Sequence, residues 1–250
     1  MIVSLEKGFV FTRGVKTASN SMRATLEPFR RPFESSLTAR MGRKGLGLYQ
    51  TWPFVNFYAN PHRPLVYAAH VIPPRLFASF YKFGVVREPV SWMTSVYKHW
   101  LTRWSKSERS IRTFEDFVHY WTGFRSYTQA LQFVDLQGHF LADEIGRFEN
   151  LLGFHEHVCQ RLGIQRDLQR LNATPDTVRV EVTARARSLV EKLCYLDYEI
   201  FDFENLSEPI MDIQLDETIS AELRRRLRCY GGVSYDPWAS SYSEVALGTA

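Results

Sequence analysis

The chain has 250 residues, 45% of them hydrophobic and 23% charged, which is ordinary globular composition with enough length for one substantial core. A net charge of +4, with 31 Lys and Arg scattered among 27 Asp and Glu, favours an anionic ligand or acceptor but provides no basic tract for nucleic acid. Cys159, Cys194 and Cys229 form neither a CxxC pair nor a disulfide framework, no zinc ribbon is present, and no apolar run approaches the ~18 residues of a membrane span.

The first strand is expected to begin by Gly8, which leaves no room for a signal peptide, so the expectation is a soluble, cytoplasmic single domain over 1–250. Gly8 to Arg13 is a short apolar run rich in β-formers. It leads into Gly14-Val15-Lys16-Thr17-Ala18-Ser19-Asn20-Ser21 and then a helical segment, Met22 to Glu27. This is the pattern of strand, phosphate loop and helix, in which unpaired N–H groups and the positive end of the helix dipole face a loop of small residues. Lys16 adds a mobile charge. The loop does not follow GxxxxGK[ST], because Val15 and not Gly precedes Lys16.

From Pro28 to Pro64 the chain is rich in Pro, Gly and aromatics and is expected to be irregular; its cluster Trp52, Phe54, Phe57 and Tyr58 suits either core or an acceptor pocket. Leu65 to Val71 and Lys82 to Arg87 read as buried strands that end at a polar residue and then a proline, which would place His70 and Arg87 at carboxyl edges. Pro89 opens an amphipathic helix to Trp104, with Val90, Met93, Val96, Tyr97 and Trp100 at three- and four-residue spacing. Further helices are expected at Phe114 to Thr122, Tyr127 to Phe133, Leu152 to Leu162 and Thr183 to Tyr195, with a short strand at Glu144 to Phe148 and a C-terminal helix and tail over 204–250. Such alternation predicts an α/β fold with a central, mostly parallel sheet flanked by helices, and ligands at the strand carboxyl ends.

Arg87, Pro89 and Ser95 bring a guanidinium and a hydroxyl to one side of a strand-to-helix turn, where both can grip a single phosphate. The pattern Arg-x-Pro, then Ser eight residues after the Arg, then x-Tyr, is met by Arg87, Pro89, Ser95 and Tyr97, and it resembles the 3′-phosphate site of sulfotransferases that use 3′-phosphoadenosine-5′-phosphosulfate (PAPS). The opening loop is similar to that family's 5′-phosphosulfate loop, departing from it at Val15, where Pro is usual, and at Asn20, where Thr is usual. Leu65 to Val71 resembles the strand bearing His-Gly-His in uronyl 2-O-sulfotransferases such as those of heparan sulfate, with His70 at the second histidine and Ala68 at the first. Leu171 to Thr174 and Tyr195 to Phe201 look like late motifs of carbohydrate sulfotransferases, so the resemblance covers roughly residues 8–203.

The resemblance implies a P-loop-like sulfotransferase fold and an enzyme that moves a sulfuryl group from PAPS to an acceptor hydroxyl, without a metal. It implies His70 as base and Lys16 on the leaving 5′-phosphate, with Thr17, Ala18, Ser19, Asn20 and Ser21 as the cradle, Arg87 and Ser95 on the 3′-phosphate, and Thr174 in a cofactor loop. A carbohydrate is the first acceptor expected, with a lipid or small alcohol as further choices; Ala68 weakens a uronyl 2-O specificity, and oligomeric state is not legible.

Each motif also has a structural explanation. Lys16 can belong to a plain βα connection, Arg87 to an ion pair with Glu88, and His70 to the interior. Arg224 to Arg228 fits a solvated helix face, while His155, His157 and Cys159 do not share one helix face as metal ligands would. Two other functions stand beside sulfuryl transfer. One is a P-loop kinase, which would place a magnesium-holding Asp where this chain has Arg87; the other is a catalytically silent nucleotide- or glycan-binding module.

Overall fold

The computed structural model describes residues 1–30, 62–103, 111–121, 128–169, 171, 179–205 and 208–229. Its strands are β1 (Ile2–Ser4), β2 (Phe9–Phe11), β3 (Tyr81–Val86), β4 (Glu144–Arg147) and β5 (Ile210–Met211), and they lie side by side in chain order. The central strands β2, β3 and β4 run parallel, with Phe9 opposite Tyr81 and Val86 opposite Arg147, while β1 and β5 pair antiparallel at the two edges. The expected mostly parallel sheet is therefore corrected to a mixed one. Only residues 5–8 join β1 to β2, and a connection this short can close a hairpin but cannot make the crossover that parallel strands need.

The helices are α1 (Ser19–Leu26), α2 (Leu65–Val71), α3 (Pro74–Ser79), α4 (Pro89–Arg103), α5 (Phe114–Trp121), α6 (Leu151–Leu162), α7 (Ala184–Leu193), α8 (Tyr195–Phe201) and α9 (Glu217–Cys229). Alternation along the strands divides the core between the two faces of the sheet. Phe9, Phe11, Phe83 and Val85 pack with Met22 and Leu26 of α1 and with Phe154 and Val158 of α6. Val10, Val86 and Ile145 face the other way, among Trp92, Met93 and Val96 of α4, Phe117 of α5 and Val190 of α7. Phe83 lies at the centre of the first layer, with ring centroids 4.7 Å from Tyr81, 5.2 Å from Phe11 and 5.8 Å from Phe9. Burying such a ring contributes roughly 1.5–3 kcal/mol. On β4, Gly146 leaves the space that the Phe154 ring occupies, so α6 packs directly on the backbone there.

One expected strand is a helix. Leu65 to Val71 forms α2, N-capped by Pro64, with Leu65, Val66 and Ala68 buried and His70 exposed. In the sheet β2 lies between β1 and β3, so neither of its edges is open to a further strand, and a short apolar run with two adjacent alanines serves equally well as a buried helix. The expected helix from Tyr127 to Phe133 is a 3₁₀ turn over Gln129–Gln132 in its described part, and the expected helix from Thr183 to Tyr195 ends at Leu193, with Tyr195 opening α8. Thr183 caps α7 by accepting from the Ala186 N–H at 3.1 Å. Among the described residues no helix is long and apolar enough to cross a membrane. The Trp52 to Tyr58 cluster, Thr174 and the tail from residue 230 lie outside the described residues.

Candidate functional site

At the carboxyl end of β2 the chain enters the Lys16 loop through Thr12, whose N–H donates to the Phe83 carbonyl at 3.0 Å. Lys16 and Ala18 both take left-handed conformations, with φ of 59° and 56°. For residues with a Cβ this costs roughly 1–2 kcal/mol each, so the surroundings must hold them there. Gly14 is part of that hold: a Cβ on it would lie 2.7 Å from Thr17 Oγ1 and 3.3 Å from the Val85 carbonyl oxygen. Trp92 of α4 is another, donating its indole N–H to the Val15 carbonyl at 2.8 Å. Left-handed residues alternating with other conformations turn successive N–H groups to one side, the arrangement from which backbone anion nests are made.

The loop retains polar capacity that the protein does not use. Thr17 is buried, and its hydroxyl has no hydrogen-bond partner among the described residues. Ser19 and Ser21 are also buried, Ser21 accepting from the Leu171 N–H at 3.2 Å, and Asn20 accepts from Arg13 Nη2 at 2.9 Å. Arg13 is a site residue that sequence inspection missed. It is 8% exposed, its Nε is buried without a partner among the described residues, and burial pushes its pKa down to about 10. Standing three residues before Lys16, it carries no periodic signal that would have singled it out.

The second expected element meets the first. Arg87, just past β3, extends Nη1 to 3.5 Å from the Lys16 carbonyl, so the two motifs that the sequence separates by 71 residues share one corner. The guanidinium lies 4.0 Å over the Phe148 ring and donates from Nε to Ser91 Oγ at 2.9 Å; burial lowers its pKa, and Glu149 and Glu88 only partly offset this. Ser91, one turn ahead of the expected Ser95, is thus the α4 hydroxyl in contact with Arg87. Ser95 itself is buried on α4.

His70 stands on the last turn of α2, where its Nδ1 bonds the Val66 carbonyl within the same helix at 2.8 Å. The strand-end position expected for it is overturned with the strand. The histidine that touches the loop is His62, whose Nδ1–H donates to the Arg13 carbonyl at 2.9 Å. That bond leaves Nε2 as the unprotonated nitrogen, and burial pushes the ring's pKa down to about 4, so it is neutral at pH 7. Its neighbour Arg63 helps to seat the segment on the end of β2, its carbonyl accepting from Thr12 Oγ1 at 3.0 Å.

No family model, curated protein or solved structure matches this chain. The functional case therefore rests on the corner itself, where a cation from each of two strand ends, a buried hydroxyl without a partner and a neutral histidine come together. On the far side of β4 other polar groups serve the fold. His155 bonds Thr25 at 2.9 Å and lies 3.5 Å from the Cys159 sulfur, whereas His157 bonds Glu144 at 3.0 Å. On α9, Arg224 pairs with Glu217 of the same helix, and Arg225 and Arg226 both reach Glu222.

Proposed function

We propose that the protein transfers the sulfuryl group of PAPS to an acceptor hydroxyl at the corner between the Lys16 loop and Arg87. The observation that carries this is the 3.5 Å approach of Arg87 Nη1 to the Lys16 carbonyl, which puts Arg87 beside the loop backbone, where one ligand with two phosphate-bearing ends would meet both. PAPS supplies the sulfuryl group and an adenosine 3′,5′-bisphosphate leaving group. The unpartnered Thr17 hydroxyl and the left-handed backbone of Lys16 and Ala18 suit its 5′ end, and Arg87 with Ser91 suits its 3′-phosphate. Ser19, Asn20, Ser21 and Ser95 remain binding candidates through their place in the loop and on α4.

In this reaction the acceptor oxygen forms a bond to sulfur as the bond from sulfur to the 5′-phosphate oxygen breaks. The hydroxyl proton passes to a base, and Lys16 stabilises the charge that gathers on the departing oxygen. Two histidines stand for the base: His70, by family resemblance, and His62, by its hydrogen bond to the loop. A carbohydrate hydroxyl is the acceptor of first choice, with lipids and small alcohols next.

Thermal unfolding with adenosine 3′,5′-bisphosphate, set against ATP with Mg²⁺, tests the donor, because a ligand that binds only the native state raises its melting temperature. Stabilisation by the bisphosphate is expected; stabilisation by ATP with Mg²⁺ alone would favour a kinase instead. PAPS-dependent sulfation of glycans and small alcohols, followed by mass spectrometry, then separates an enzyme from a silent binding module. Whichever of His62→Ala and His70→Ala abolishes turnover while retaining bisphosphate binding identifies the base.

A further inference from the structure

The C-terminal motif Tyr195 to Phe201 folds as α8, and two of its adjacent residues brace the turn that carries Arg87. Asp197 is fully buried. Its carboxylate accepts from the Thr128 hydroxyl and from the N–H groups of Gln129 at 3.1 Å and Ala130 at 3.0 Å. These bonds hold the Gln129 side chain, only 2% exposed, against Arg87 from both sides of its backbone. Gln129 Oε1 accepts from the Arg87 N–H at 2.9 Å, and Nε2 donates to the Arg87 carbonyl at 2.7 Å.

Arg87 needs this support. The β3–β4 register ends at Val86 opposite Arg147, and the first backbone bond of α4 runs from Trp92 to Glu88, so the Arg87 peptide groups lie between a ladder and a helix. Tyr198, next along α8, donates to Glu88 Oε1 at 2.6 Å. The Glu88 carboxylate in turn accepts from Val90 N at 3.0 Å and Ser91 N at 2.7 Å, fixing the start of α4 and with it the serine that Arg87 contacts. No ion pair fixes the guanidinium among the described residues, so its direction depends on the backbone beneath it and on Ser91, Phe148 and the Lys16 carbonyl beside it.

We infer that Gln129, Asp197 and Tyr198 are positioning residues that aim Arg87 at the 3′-phosphate of the donor and so set the preference for a 3′-phosphorylated nucleotide. This rests on the PAPS assignment above. A guanidinium displaced by about 1 Å loses the two-bond geometry that makes arginine a good phosphate ligand.

Affinities for adenosine 3′,5′-bisphosphate and adenosine 5′-monophosphate, measured by calorimetry on the full chain, provide the test. The two ligands share the 5′ end, and only the first has a group for Arg87. The native protein is expected to prefer the bisphosphate strongly, and Arg87→Met to lose that preference. Gln129→Met should cut it about tenfold while leaving the monophosphate affinity unchanged, the cost of a misplaced charged hydrogen bond. Tyr198→Phe, a milder change, should cut it severalfold, and it decides the matter alone if Gln129→Met does not fold. General structural damage would instead weaken both ligands together and overturn the inference, as would a native-like ratio in the variants that fold. Equal affinities in the native protein would overturn the PAPS assignment itself.

Discussion

Around Arg87 the polar groups are paired: Gln129 holds both backbone groups, Ser91 takes the Nε hydrogen, and Glu88 caps the helix while accepting from Tyr198. Next to it, in the Lys16 loop, Thr17 and Arg13 keep buried polar atoms without partners among the described residues, and two residues with a Cβ sit in left-handed backbone. A satisfied corner is rigid before any ligand arrives. A loop with unused donors has a penalty that a ligand can relieve, since a buried group without a partner costs about 1–3 kcal/mol. Under the proposed function, the contrast is between a prebuilt grip and a cradle that its ligand would complete.

The largest effect is expected on the cradle side. Lys16→Ala should lower PAPS-dependent turnover by about 10²–10³-fold, the usual cost of removing one stabiliser of developing charge, with the melting temperature little changed. Turnover that survives this change would remove Lys16 from the chemistry. On the corner side the larger loss should be in stability. Asp197→Ala strands the Thr128, Gln129 and Ala130 donors, and denaturant unfolding should show a deficit of about 3 kcal/mol.

A matched pair of threonines sharpens the comparison. Thr128→Val removes a hydroxyl bonded to Asp197 and should cost about 1–3 kcal/mol. Thr17→Val removes one without a partner among the described residues, so the free protein should be stabilised by about 1–3 kcal/mol while bisphosphate affinity falls roughly fivefold. Equal destabilisation by the two would mean that Thr17 is structural.

A further contrast, seen only below neutral pH, is a pH dependence from His62. Its folded pKa of about 4 lies below the ordinary value of 6.5, so the unfolded chain takes up the proton first. Its contribution to stability is therefore full above pH 6.5 and is lost as pH falls from 6.5 to 4. His62→Gln should flatten that part of the stability profile, and a midpoint near 6.5 for the His62 C2–H resonance, assigned by its loss in that variant, would contradict the burial.

The central strands, the long helices and the loop-to-helix start were legible because periodicity is local: Phe9 and Phe11 alternate with Val10, and Val90, Met93 and Trp100 recur at helical spacing. Leu65 to Val71 was misread because seven residues without a period leave strand and buried helix equivalent, and only the filled sheet positions beside β2 decide between them. Arg13 went unnoticed for a related reason, since it belongs to no repeating pattern.

From the sequence alone, Lys16 in a small-residue loop and Arg87 at a strand end were evident as anion-binding candidates, because residue type and immediate neighbours determine that chemistry. Their meeting at one corner, the contact of Arg87 with Ser91, and the brace from Asp197 through Gln129 were decided by tertiary structure. Parallel pairing of β2 with β3 brings their carboxyl ends together, and a burial that excludes water makes residues 68 and 110 positions apart complete each other's hydrogen bonds.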